Sequence, residues 1–346
     1  MIWIRADANR DIGAGHIMRC LSVAEVLRNM GEEVLFLVAD EASGKLLAER
    51  GQAYRILHSS YRELERELPV LIPLLQTERP EFFLLDSYFV TKEYLRQVRE
   101  QVKIAYLDDC GMLPCPVDIL INYNIYGDQI DYRGMFAGDG CAKDMLLLLG
   151  PSYAPLRPEF TGGSYVVRDR VENVLVTTGG SDQYNLAGRF LRHALADEEA
   201  GKLHYHVVSG AFNPHFSELT QMSENYDNIH IRQNVKNMAE LMQDCDLAIS
   251  AGGSTLYELC AIGVPFLCFS FVANQEQIVQ TFKKQGITCY GGNYEEAKES
   301  LFQELTENLV RLVGDPKSRL AQSERQRRLV DARGAFRLAG KLLSQV

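Results

Sequence analysis

Asp11-Ile12-Gly13-Ala14-Gly15-His16-Ile17-Met18-Arg19-Cys20 stands directly behind the apolar run Met1 to Ala6. The run has the length and composition of a buried strand. The pattern Ile17 to Met30 that follows is helical. Two glycines between a strand and a helix let the backbone turn tightly and come close to a ligand. The same reading repeats along the chain. Further strands are expected at Glu33 to Val38, Phe82 to Leu85, Lys103 to Leu107 and Ile119 to Ile121, with helices at Arg62 to Gln76 and Lys92 to Val102. This alternation predicts a parallel sheet covered by helices on both faces.

The rhythm breaks at Gly150-Pro151-Ser152-Tyr153-Ala154-Pro155-Leu156-Arg157-Pro158, followed by Gly162-Gly163. Three prolines so close together continue neither a helix nor a central strand. The rhythm restarts at Asn173 to Thr177 and runs through His204 to Val208, Ile229 to Gln233, Leu247 to Ser250, Pro265 to Phe269 and Ile287 to Tyr290. The expected fold is therefore α/β, with two doubly wound Rossmann-like domains. The first covers residues 1–150, a linker 151–170, and the second 171–346. The last fifty residues read as charged helix, of the kind that often crosses back to the first domain in such enzymes.

Composition narrows the function. Hydrophobic residues make up 46% of the 346, enough for two buried cores, and the formal charge of -10 argues against nonspecific binding to nucleic acid or anionic membrane. No apolar stretch approaches the length of a membrane span, and the N-terminus reads as a strand rather than a signal peptide. The eight cysteines, Cys20, Cys110, Cys115, Cys141, Cys245, Cys260, Cys268 and Cys289, form no CxxC pair and read as small core residues of a reducing compartment. A cytoplasmic location and a monomer are expected.

Open α/β sheets bind ligands beyond the carboxyl ends of their strands. In the first loop, His16 falls at the helix N-terminus, where the helix dipole favours the neutral imidazole that a general base requires. The alternative is a histidine that only caps or packs. A dinucleotide fingerprint is weakened because Met18 and Arg19 stand where its third glycine belongs. A second loop, Thr177-Thr178-Gly179-Gly180-Ser181-Asp182, suits either a phosphate or a tight turn. In a third, Ser250-Ala251-Gly252-Gly253-Ser254-Thr255-Leu256-Tyr257-Glu258, Ser254 and Thr255 can cap or touch phosphate, and Glu258 can accept from ribose hydroxyls or cap local amides. Asn274, Gln275 and Gln277 suit sugar hydroxyls or a plain surface loop. Asp86-Ser87-Tyr88, Asp108-Asp109 and Asn122-Tyr123-Asn124 each follow a strand. One of these carboxylates is expected to orient His16. Paired aspartates lack the accompanying spacing of a metal site.

Together these motifs resemble the nucleotide-sugar hydrolases of pseudaminic acid biosynthesis, PseG, and their spore-coat relatives, SpsG. The resemblance is carried by Gly13-x-Gly15-His16-x-x-Arg19-Cys20-Leu21, Asp86-Ser87-Tyr88, Asp108-Asp109, and Leu149-Gly150-Pro151-x-Tyr153-Ala154-x-Leu156-Arg157-Pro158-x-Phe160. It continues through Gly179-Gly180-Ser181-Asp182, Ser250 to Glu258 and Asn274-Gln275, nearly the whole chain in order. The second-half motifs also resemble the MurG-type N-acetylglucosaminyltransferases. The resemblance implies the GT-B fold with an interdomain ligand cleft, and hydrolysis of UDP-2,4-diacetamido-2,4,6-trideoxy-β-L-altropyranose or a related UDP-sugar, for flagellin or spore-coat glycans, without metal or cofactor. It implies His16 as the base and Gly13, Gly15, Arg19, Asp86, Tyr88, Asp109, Asn274 and Gln275 around the substrate. Gly179, Gly180, Ser181, Asp182, Gly253, Ser254, Thr255 and Glu258 then hold UDP. A UDP-sugar-dependent glycosyltransferase and a noncatalytic nucleotide-sugar binder are the alternatives.

Overall fold

Strands buried on both faces are near-continuous apolar runs, and the two central strands of each sheet are of this kind. The computed structural model describes residues 1–111, 115–136, 143–162, 165–210 and 212–345; Cys141, Gly163 and Val346 lie outside them. It divides into two units, residues 1–157 with 333–346, and residues 158–332.

The first unit holds β1 (Ile2–Ala6), α1 (Gly15–Asn29), β2 (Val34–Val38), α2 (Glu41–Ala48), β3 (Tyr54–Ile56), α3 (Leu68–Glu78), β4 (Phe82–Asp86), α4 (Lys92–Arg99), β5 (Ile104–Leu107), β6 (Ile119–Asn122), α5 (Tyr132–Met135) and β7 (Leu146–Leu149). The strands form one parallel sheet in the order β3-β2-β1-β4-β5-β6-β7. The order reverses between β1 and β4, so the loops after these two strands diverge and leave room at the sheet's carboxyl edge. Residues such as Trp3, Leu37, Leu71, Phe83, Tyr94 and Leu120 form a core on this sheet. The C-terminal helix Gly334–Leu343 packs on α1 and buries Ala335, Leu338, Ala339 and Leu342.

The second unit holds β8 (Asn173–Thr177), α6 (Leu186–Ala196), β9 (His204–Ser209), α7 (Phe216–Asn225), β10 (Ile229–Gln233), α8 (Met238–Asp244), β11 (Leu247–Ala251), α9 (Thr255–Ile262), β12 (Phe266–Ser270), α10 (Ala273–Lys284), β13 (Cys289–Asn293), α11 (Tyr294–Ala297), α12 (Ser300–Val313) and α13 (Pro316–Leu329). Its parallel sheet runs β10-β9-β8-β11-β12-β13, with the reversal between β8 and β11. Val176, Phe190, Tyr205, Ile249, Phe269 and Leu309 belong to its core. The fully buried Arg319 of α13 donates to the carbonyls of Leu312 and Val313 at the end of α12 and of Arg168 and Asp169 before β8. A guanidinium there satisfies the orphan carbonyls and the negative end of the α12 dipole.

Two edge strands are additions to the sequence reading. β3 is three half-buried residues, too short for a periodic signal. β7 is a run of four leucines, a composition equally at home in a helix. The helix expected over Arg62 to Gln76 is a 3-10 turn, Leu64–Glu67, followed by α3. Pro69 in the first turn of α3 fits this later start, because its missing N–H is one that no helix uses there. The strand expected over Ile287 to Tyr290 is shifted to β13, whose pairing with β12 is irregular at Cys268/Phe269. Gly291 lies where any side chain would collide with Leu305, and Gly292 has φ +129°, so both glycines belong to the strand.

Candidate functional site

The loop after β1 is built by Asn9. Its side-chain oxygen accepts from the amides of Asp11 and Ile12, and its backbone pairs with Gly13, which turns the chain at φ +72°. α1 then starts at Gly15 with no side-chain cap and no acidic residue in its first turn. This places His16 one residue inside the helix and Arg19 on the same face a turn later.

Both meet Asp86, the last residue of β4. His16 Nδ1 lies 2.6 Å from Asp86 Oδ1, Arg19 Nε donates to Asp86 Oδ2 at 2.5 Å, and Arg19 Nη2 donates to Asp86 Oδ1. The Cys20 thiol donates to Asp86 Oδ2 at 3.6 Å. His16 and Asp86 are 3% and 1% exposed, so these bonds form away from bulk water. Burial by itself raises the Asp86 carboxyl, but the Arg19 guanidinium and His16 outweigh it and hold the group far below the usual carboxylate range. An ionised carboxylate only accepts. In the neutral ring, Nδ1 therefore carries the proton and donates to Asp86, leaving Nε2 as an acceptor.

A second layer closes around the first. Arg19 Nη1 donates to both oxygens of Asp109, at 2.7 and 2.6 Å, and to Tyr123 Oη at 2.9 Å. The carbonyl of Asp109 accepts from Asn124 Nδ2 and Tyr126 Oη, which pins the loop after β5. Tyr88 donates to Asp109 Oδ2 at 3.2 Å, and its ring meets the His16 ring edge-on at 4.4 Å. Tyr88 is 38% exposed, and its neutral phenol is the donor in the bond to Asp109. Burial and then Asp86 push the Cys20 thiol well above its ordinary range, so it stays protonated and directed at Asp86. A recess beside these groups is lined by Asp7, His16, Tyr61, Asp86, Tyr88 and Phe89.

Five residues singled out from sequence, His16, Arg19, Asp86, Tyr88 and Asp109, thus meet in one cluster, with Gly13 and Gly15 shaping its loop. Asp108 is not the orienting carboxylate. Arg19, expected at the substrate, has all three nitrogens engaged by protein groups and is 8% exposed. One neighbouring network escaped the sequence reading. Arg5 is fully buried in β1, bound to Glu67 by Nε and Nη2 and to Asp7 at 2.5 Å, while Glu67 also accepts from Tyr94 and Ser59. An arginine inside an apolar strand was the signal, because a buried charge demands a partner.

In the second unit the glycine loops follow β8 and β11, at the reversal of that sheet. Gly179 turns at φ +87°, and the Gly180 carbonyl accepts from the Phe212 amide. Gly210 packs so closely on Gly180 that a Cβ there would sit 2.2 Å from its carbonyl oxygen. Ser181 is half-buried. Asp182 is 1% exposed and accepts from the amides of Leu186 and Ala187, capping α6. Those amides are therefore taken by Asp182 itself. Gly253 donates its amide to Ala251. Ser254 is exposed and gives α9 no side-chain cap, while the amides of Leu256 and Tyr257 donate to the carbonyls of Gly253 and Ser254, which tightens the first turn and leaves Thr255 at its opening. Glu258 lies half-buried in the first turn. Asn274 is exposed, whereas Gln275 Oε1 accepts from the Phe271 amide and fixes the start of α10. Among the described residues, no three His, Cys, Asp or Glu side chains converge as a metal-binding set, and no helix is long and apolar enough to cross a membrane.

Residues 173–333 match the glycosyltransferase family 28 C-terminal domain. An uncharacterized protein of Methanocaldococcus jannaschii is 29% identical over 76% of this chain, and the chain spans 54% of that relative's length. The spore coat polysaccharide biosynthesis protein SpsG of Bacillus subtilis is 26% identical, over 99% of this chain and 97% of that one. The UDP-2,4-diacetamido-2,4,6-trideoxy-beta-L-altropyranose hydrolase of Campylobacter jejuni is 26% identical, over 82% and 97%. Among solved structures, MurG of Acinetobacter baumannii is similar with a TM-score of 0.64 at 10% identity over 99% of both chains. The glycosyltransferase VinC, solved in complex with dTDP, has a TM-score of 0.67 at 13% identity over 99% of this chain and 98% of that one. At such identities the structural likeness speaks to the fold, which is GT-B: two Rossmann-like domains.

Proposed function

We propose that this chain hydrolyses a UDP-sugar at the anomeric carbon, with His16 as general base and Asp86 as its partner. The observation that carries the reading is the buried His16–Asp86 pair, 2.6 Å apart at the carboxyl ends of β1 and β4. The similarity to the Campylobacter hydrolase and to SpsG supports the substrate class. UDP-2,4-diacetamido-2,4,6-trideoxy-β-L-altropyranose is the first substrate to test. The second unit binds UDP: the loop Gly179 to Ser181 and the opening amides of α9 at Ser254 and Thr255 receive the diphosphate, and Glu258 accepts from the ribose hydroxyls.

The reaction breaks the bond from C1 to the phosphate oxygen and forms one from C1 to a water oxygen. UDP leaves with the bonding pair. His16 Nε2 takes the proton that water loses, while Nδ1–H donates to Asp86, which stabilises the imidazolium. Pyrophosphate is a good leaving group, so the protein's task is to hold its charge and to align water.

Purified protein given the UDP-sugar alone is expected to release UDP and free sugar. His16→Asn is expected to keep UDP affinity by calorimetry and to lose turnover by about 100- to 10,000-fold. Release only after adding an alcohol turns the reading to transfer, and binding without turnover turns it to a noncatalytic binder. Near-normal turnover of the variant removes His16 from the chemistry.

A further inference from the structure

Arg19 looks from sequence like a substrate ligand, but its surroundings describe another task. Four donors converge on Asp86: His16 Nδ1 and Arg19 Nη2 on Oδ1, and Arg19 Nε and Cys20 Sγ on Oδ2. Two of the four belong to one planar guanidinium, and such a fork sets the orientation of a carboxylate as a single donor does not. The other end of the guanidinium is itself anchored by both oxygens of Asp109 and by Tyr123, on loops that β5 and β6 position.

We propose that Arg19 is a positioning residue, whose guanidinium fixes the Asp86 carboxylate in the orientation that receives the His16 Nδ1 proton. The inference rests on the reading of His16 as the base. Arg19 acts here without touching substrate, because its nitrogens face Asp86, Asp109, Tyr123 and, at 3.1 Å, His16 Nδ1.

The test compares Arg19→Met, Arg19→Lys, His16→Asn and the double variant His16→Asn/Arg19→Met, measuring kcat, KM, UDP affinity and the pH–rate profile. Arg19→Met is expected to lower kcat by about 100-fold or more, within the range for losing general-base assistance, with KM and UDP affinity little changed. Its activity is expected to fail from a higher pH on the acid side, since Asp86 loses the cation that keeps it ionised. Arg19→Lys, which keeps the charge but not the fork, is expected to recover part of kcat. The double variant should be no slower than His16→Asn alone, because residues that act through one another are not additive. A raised KM with unchanged kcat, or losses that multiply in the double variant, overturns the proposal and leaves His16 as base. Full activity of His16→Asn overturns the underlying reading instead. Should Arg19→Met fail to fold by circular dichroism, Arg19→Lys with Asp109→Asn carries the same comparison.

Discussion

Glu67 and Asp86 are both buried carboxylates bound to an arginine fork, and they differ in what else they hold. Glu67 spends its remaining capacity on Tyr94 and Ser59, so every partner is structural. Asp86 spends its own on His16 and the Cys20 thiol. Removing Glu67 leaves Arg5 inside the sheet with Asp7 as its one remaining carboxylate among the described residues. Breaking a buried pair in this way typically costs about 3–5 kcal/mol. Glu67→Ala is therefore expected to lower the urea midpoint severely, whereas Glu67→Gln, which keeps one acceptor oxygen for Arg5, should lose less. Equal midpoints for the two variants and the parent would show that Arg5 finds another partner. Sequence alone singled out His16 because it stands between a glycine turn and a helix. It could not choose among Asp86, Asp108 and Asp109, because that choice depends on β4 lying beside β1, a pairing across eighty residues.

Three histidines gather on one strand pair of the second unit. His206 of β9 lies opposite His230 of β10, with ring centroids 4.9 Å apart, and His204 Nδ1 lies 3.3 Å from His230 Nε2. His206 Nε2 meets Asn173 Oδ1 at 3.0 Å, while its Nδ1 is buried without a hydrogen-bond partner among the described residues. Burial, with His230 and Arg232 nearby, pulls the His206 pKa down to about 4, and burial lowers His230 as well. The unfolded chain, where histidine titrates near 6.5, then binds more protons than the folded one as the pH falls from 6.5 toward 4. Stability is expected to be full above that window and to be lost progressively through it, read as a falling urea midpoint. His206→Asn should flatten this dependence, and an unchanged slope would place the acid sensitivity elsewhere. The strands that carry these rings are legible as short runs at the restarted rhythm of the second half. β3 and β7 are not, since an edge strand has fewer buried positions with which to declare itself. β13 starts two residues and ends three residues later than the run 287–290 suggests, because Gly291 and Gly292, read locally, belong to turns.

At the scale of the molecule, the first unit is built from two stretches of chain, 1–157 and 333–346. Their junction is tight. A Cβ on Gly334 would stand 2.0 Å from the Ala154 carbonyl oxygen, a backbone atom with no room to yield. Gly334→Ala is expected to lever the C-terminal helix off α1 and to cost roughly 1–3 kcal/mol as an overpacked site. A melt followed by a probe in the first unit should register the loss while UDP affinity persists; an unaltered melt would mean that this contact relaxes freely. The two-part construction also bears on how the protein is made. When residue 157 leaves the ribosome, the first sheet is complete but the face of α1 that will receive Ala335, Leu338, Ala339 and Leu342 is bare. Residues 158–332 must be synthesised before its cover arrives, which at about 5–20 residues per second takes on the order of 10–35 s. The second unit, contiguous in sequence, can finish folding in that interval. The half of the protein that is translated first is thus the half that matures last, and until then that face of α1 stays open to solvent.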